Sequence, residues 1–160
     1  MIEKLERTVN LYCREIISKN IRVKRYVTGT ESGKKEKGGK RIVKRKSRLV
    51  WDYPAVVSVC CWDKRRNKPY RGYSHSACSN SYTSKILKSK LEELGSIGSR
   101  NSKYENPIGQ CAEPHAAQKM LNKMNCKDLK EILFSTAKRP RTLEEIPPCG
   151  ICKYVFPSLI

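Results

Sequence analysis

The chain has 160 residues and carries 34 Lys and Arg against 15 Asp and Glu, a formal net charge of +19. That length suits one compact domain and hardly two. A surplus of this size points to phosphate-bearing partners, because lysine and arginine release the counterions condensed on phosphates. No run approaches the roughly 20 apolar residues a spanning helix needs, so no membrane span is expected. Met1–Arg14 lacks the apolar core of a secretory signal, so a cytoplasmic location, in the chain's own cell or a target cell, is expected.

In chain order, Ile2, Leu5, Val9, Tyr12, Ile16 and Ile17 recur at helical spacing with charges between them, so Ile2–Ile17 is predicted as an amphipathic helix. From Ile21 to Arg48 the chain turns basic. Two β-like runs, Ile21–Thr28 and Arg41–Leu49, flank a Gly- and Lys-rich centre at Gly29–Gly39 and read as a basic hairpin or arm. Its Lys34, Lys35, Lys37, Lys40, Arg41, Lys44, Arg45 and Lys46 are candidate contacts to a nucleic-acid backbone. The plainer alternative is a solvated segment. Residues 1–50 are expected to form this N-terminal helix and arm, and residues 51–160 the core.

Ala55–Trp62 is a near-continuous apolar run, predicted as a buried strand. Asp63–Lys68 reads as a turn, Pro69–Tyr73 as the returning strand and Ser74–Thr83 as loop. Ile86, Leu87, Leu91 and Leu94 define a short helix closed by Gly95, and a loop runs on to Asn101. Within Cys111–Met124, Ala112, Ala116, Ala117, Met120, Leu121 and Met124 share one helix face. Pro114 is tolerable only in a first turn, which puts Cys111 and Glu113 at the helix start. Ile132–Ala137 reads as a buried strand. After a charged loop, Pro147-Pro148 opens a second short helix carrying Cys149 and Cys152. The sum is an α/β domain with helices on a small sheet.

Eight cysteines admit either a disulfide scaffold or a reduced chain with thiolates on a metal. The Cys149-Gly-Ile-Cys152 spacing and the missing export signal favour the second. Cys13, Cys60, Cys61, Cys78 and Cys126 then read as buried or incidental thiols. Cys111, Cys149 and Cys152 offer three ligands from two helix starts and leave a fourth position open, the arrangement of a catalytic zinc, with one Zn2+ per chain. Hydrolytic deamination needs hydroxide at neutral pH, and zinc lowers the pKa of bound water to about 7. It also needs a carboxylate that carries protons without ligating the metal, the role open to Glu113. Cys-x-Glu followed by Pro-Cys-x-x-Cys is a form of the zinc nucleobase-deaminase signature. The competing arrangement is a closed structural site with His115 as fourth ligand. His75 reads as a loop histidine.

Gly109-Gln-Cys-Ala-Glu-Pro-His-Ala-Ala117 together with Pro148-Cys-Gly-Ile-Cys152 resembles the cytidine-deaminase-like superfamily. Within it, the pattern is more similar to the deaminase domains of bacterial polymorphic toxins than to free-nucleoside cytidine deaminases, whose Asn-x-Glu-Asn-like segment is missing before Cys111. The resemblance covers about Ala55–Phe156. It implies a three-layer α/β fold, a small mixed sheet flanked by helices, in which one or two further strands usually follow the second cysteine box. Either the sheet is minimal here, or the N-terminal β-like runs complete it. The resemblance also implies that Cys111, Cys149 and Cys152 hold zinc, that Glu113 shuttles protons, and that the backbone of Ala112 contacts a flipped base.

The activity so implied is conversion of cytosine to uracil in DNA or RNA. The alternatives are a free cytidine or nucleotide deaminase, and a non-enzymatic zinc-stabilised nucleic-acid-binding module. Tyr73, Ser74 and His75 are further candidate substrate contacts, and Trp51, Tyr53, Tyr73, Tyr82 and Tyr104 are candidate stacking surfaces. A toxin domain would act in the cytoplasm of a target cell and be neutralised by an immunity protein.

Overall fold

The computed structural model describes residues 1–32, 43–63 and 68–159, with 25–32 and 43–49 followed along the backbone alone. Helix α1 (Ile2–Ser18) buries Leu5, Val9, Tyr12 and Ile16 of the predicted stripe together with Cys13, while Ile2 and Ile17 at its ends are exposed. These residues meet Val57, Val59 and Cys61 of strand β3 (Val57–Trp62). Successive strand residues point to opposite faces. Cys60 therefore turns the other way, into a cluster with residues of α2 (Lys85–Glu92), α3 (Ala112–Leu121) and α4 (Gly150–Val155). Burial on both faces is why the β3 sequence reads as a continuous apolar run.

Leu5, Val9 and Ile16 are fully covered, and each such side chain contributes about 1.5–3 kcal/mol relative to exposure. Helix α1 is accordingly one layer of the core. The boundary expected at residue 50 cuts through this shared cluster.

Around β3 the sheet has five strands. β4 (Tyr70–Tyr73) pairs on one side, with Val57 opposite Tyr73 and Cys60 opposite Tyr70. β5 (Ile132–Phe134) and β6 (Ala137–Lys138) pair in turn along the other side, and β7 (Glu145–Ile146) pairs with β6. Every strand pair among the described residues is antiparallel. This corrects the expected mixed sheet: β3 is central, and both of its neighbouring lines run against it. The strand predicted over Ile132–Ala137 is broken in two. At the break the Ser135 hydroxyl accepts the N–H of Val59 at 3.1 Å, and the N–H of Thr136 turns to the Glu6 carboxylate on α1 at 2.5 Å. β7 lies inside the segment read as charged loop.

β1 (Val23–Ser32) and β2 (Val43–Asp52) form the expected hairpin as a separate two-stranded ribbon, with Val23 opposite Asp52 and Ser32 opposite Val43. The ribbon does not complete the sheet, which stays small. Asp52 pins its base: the carboxylate lies 2.6 Å from Arg141, on the β6–β7 turn, and 3.6 Å from Arg22. Lys34, Lys35, Lys37, Lys40 and Arg41 lie outside the described residues. Lys44, Arg45 and Lys46 stand on β2 opposite Glu31, Thr30 and Gly29. Among the described residues, no helix is long and apolar enough to cross a membrane.

Candidate active site

Helices α3 and α4 both begin at a cysteine. Cys111 is the cap of α3 and Cys149 the cap of α4, each with extended backbone, and neither sulfur accepts a capping hydrogen bond. Cysteine is a poor substitute for the Ser, Thr, Asp or Asn that usually caps a helix, so both sulfurs are left for another partner. Pro114 sits in the first turn of α3, as its missing N–H requires. Cys152 lies in the first turn of α4 and is fully buried.

The sulfurs of Cys111, Cys149 and Cys152 all lie within 4.8 Å of one another and can hold a metal ion; the Cys111–Cys149 pair is 3.4 Å apart. Hydrogen bonds from the Cys111 and Cys152 thiols lower the Cys149 pKa to about 2. The bond to Cys149 pushes Cys111 up, and the bond with Cys111 pushes Cys152 up. A bound cation would take the place of those shared protons. All eight cysteines carry free thiols; Cys13, Cys60, Cys61 and Cys126 are buried, and Cys78 is exposed.

Glu113, in the first turn of α3, is 5% exposed, and a carboxylate oxygen lies 3.5 Å from the Cys152 sulfur. Burial pushes its pKa up. It stays outside the three-sulfur group, so a carboxylate sits beside the sulfurs without belonging to the ligand set. His115 is not a fourth member. Its ring stacks on His75 at 3.6 Å and on Tyr82 at 5.6 Å, and its Nε2 lies 3.4 Å from the His75 carbonyl. Burial lowers the His115 pKa to about 3. The closed site with His115 as ligand is therefore not the arrangement found.

A cavity of about 670 Å³ opens onto this group, reaching Cys111, Ala112, Glu113 and Cys149. Comparison with protein families, curated proteins and solved structures finds no match to this chain. The site's own geometry thus carries the functional reading.

Of the other candidates, Ala112, Ser74 and His75 line the cavity. The Ser74 hydroxyl accepts the Val56 N–H at 3.0 Å and so also holds the strand that forms the wall. Tyr73 does not line the cavity: it packs against the cluster under α1, with its ring 5.3 Å from that of His75. Tyr82 is buried, and its hydroxyl donates to the Gly109 carbonyl at 2.5 Å. Arg100, Asn106 and Gln110 line the cavity without having been singled out. Asn106 also helps hold the Cys149 pKa down. Their signal was the pair of glycines around them, Gly98 at φ 89° and Gly109 at φ 76°, positions that fold a polar loop back toward a site.

Proposed function

We propose that the chain is a zinc-dependent hydrolytic deaminase that converts cytosine to uracil in nucleic acid. One observation carries this reading: three cysteine sulfurs are gathered at two helix starts, with the buried Glu113 carboxylate beside them and a cavity in front. The donor set suits zinc, since sulfurs sharing a tetrahedral ion at about 2.3 Å sit about 3.8 Å apart. No histidine among the described residues adds a fourth ligand to the group.

A zinc ion held by these sulfurs supplies Lewis acidity that brings the pKa of a water to about 7. Glu113 takes a proton from water as the water oxygen adds to C4 of cytosine, and passes it to ring N3. It then takes the remaining hydroxyl proton and delivers it to N4, which leaves as ammonia while C4 becomes a carbonyl. One water is consumed, one C–N bond breaks and one C=O forms. The backbone of Ala112 lies against the base in this arrangement, and His75 closes one wall.

The cavity volume is within the range of small-ligand sites, about 300–1,000 Å³. It can admit one nucleotide, so a base in a duplex must first leave its stack at a cost of a few kcal/mol. The net charge of +19 favours a polyanion over a free nucleoside. A toxin role with an immunity partner agrees with the motif resemblance. The test is expression in cells unable to excise uracil, followed by sequencing of DNA and RNA. C-to-T changes that vanish with Glu113→Ala support the reading. Their absence from both nucleic acids, with free cytidine deaminated instead, would replace it by the nucleoside reading.

A further inference from the structure

We propose that Trp51 is a platform on which a base next to the target nucleotide stacks, and that the chain therefore takes its substrate as a single strand. The inference rests on the deaminase reading only in naming which nucleotide is the target. Five aromatic side chains are candidates for stacking, and the structure separates them. Tyr82 is 2% exposed, and Tyr73 packs under α1. Tyr53 also packs there, with the Arg22 and Arg141 guanidiniums 3.9 and 4.9 Å from its ring centre. The Tyr104 ring lies over Gly150, where an added Cβ would meet it at 3.0 Å.

Trp51 differs from all of these. It is 64% exposed, more than any other large apolar side chain among the described residues. An indole left in water forgoes one of the largest apolar burials a side chain offers.

Its surroundings fit a nucleic-acid strand. Trp51 stands on β2 opposite Lys24 of β1, whose ammonium lies 5.2 Å from the ring centre. Strand alternation also places Arg45, and no acidic residue, on the Trp51 side of the ribbon; Arg25, Lys44, Lys46 and Arg48 fall on the other side with Glu31 and Asp52. Four and five residues beyond Trp51, Ala55 and Val56 already line the cavity. At no more than about 3.6 Å per residue, the platform is within about 14 Å of the cavity wall, a span that a few nucleotides cover. Stacking on a side chain requires an unpaired base, which a duplex does not offer. An aromatic ring beside lysine also suits an anionic membrane surface, and the same experiment decides against or for that alternative.

Trp62 is the only other tryptophan, and its indole donates to Glu131. Trp62→Phe therefore leaves Trp51 as the sole indole emitter. The full chain is titrated with single-stranded oligodeoxycytidylate, with an abasic strand of equal length, with a duplex and with anionic vesicles. The expected result is quenching by the base-bearing single strand and not by the abasic one. In the otherwise unchanged chain, Trp51→Ala should weaken oligonucleotide binding about 10-fold with its melting temperature unchanged, and Trp51→Phe should recover most of that loss.

Equal quenching by the abasic strand, full affinity in Trp51→Ala, duplex binding as tight as single-strand binding, or a response to vesicles alone would each overturn the proposal. Should Trp62→Phe fail to fold, anisotropy of a labelled strand on Trp51→Ala decides. Quenching without deamination would sink the deaminase reading and spare the platform; deamination without quenching would do the reverse.

Discussion

Gly72 on β4 meets the backbone of Ala116 on α3 so closely that an added Cβ would lie 2.3 Å from the Ala116 nitrogen and 2.3 Å from the Ala112 carbonyl oxygen. Both obstacles are backbone atoms of the helix that carries Cys111 and Glu113, and neither can rotate away. Gly72→Ala should push α3 off the sheet and cost at least the 1–3 kcal/mol typical of overpacking, roughly. The urea midpoint should fall, and zinc affinity should fall with it. An unchanged midpoint would mean that α3 is not held at this distance.

Metal and fold should be linked. The purified chain is expected to hold one zinc, and Cys149→Ser to lose most of it. Because Cys111, Cys149 and Cys152 come together only in the folded chain, a metal held by all three would make binding a folding term. When free zinc exceeds its Kd about 1,000-fold, the gain is about 4 kcal/mol. A chelator should lower the denaturation midpoint accordingly, as read by calorimetry alongside elemental analysis.

The His75–His115 stack predicts an acid-sensitive fold. Burial holds His115 at about 3, below its ordinary 6.5, so the unfolded chain takes up a proton first as the pH falls. The stabilisation is complete above about pH 6.5 and is lost as the pH drops toward 3, by about 2–3 kcal/mol at about pH 4.5. His75 is shifted the same way by burial. Urea titrations across this range should show His115→Phe, which keeps a ring but cannot titrate, losing less stability than the parent chain.

Tyr82 holds the loop that leads into Cys111. Its hydroxyl donates to the Gly109 carbonyl inside the core, two residues before the cysteine. Tyr82→Phe leaves that carbonyl without its partner and should cost about 1–3 kcal/mol, measured by chemical denaturation.

Much of this layout was legible in the sequence because single residues carried unambiguous constraints. The stripe from Leu5 to Ile16 gave α1 to within one residue, since a buried helix face repeats every third or fourth position. Pro114 placed the start of α3, and with it Cys111 and Glu113, because proline fits only a first turn. What the sequence hid depends on contacts between distant segments. Ser135 breaks a strand where its hydroxyl oxygen accepts the N–H of Val59, 76 residues away. Glu145–Ile146 is too short to show periodicity and becomes a strand only by pairing with Ala137–Lys138. Arg100 and Asn106 reach the cavity because Gly98 and Gly109 bend the chain, a matter of backbone angle with no side-chain pattern to announce it.

The most direct test compares the parent chain with Glu113→Gln, each brought to equal zinc content, for uracil formation in a cytosine-bearing single strand. Loss of the proton carrier should slow the reaction at least about 100-fold while the metal stays bound. Turnover at the parental rate would remove Glu113 from the chemistry, and no turnover by either zinc-loaded chain would remove the deaminase itself.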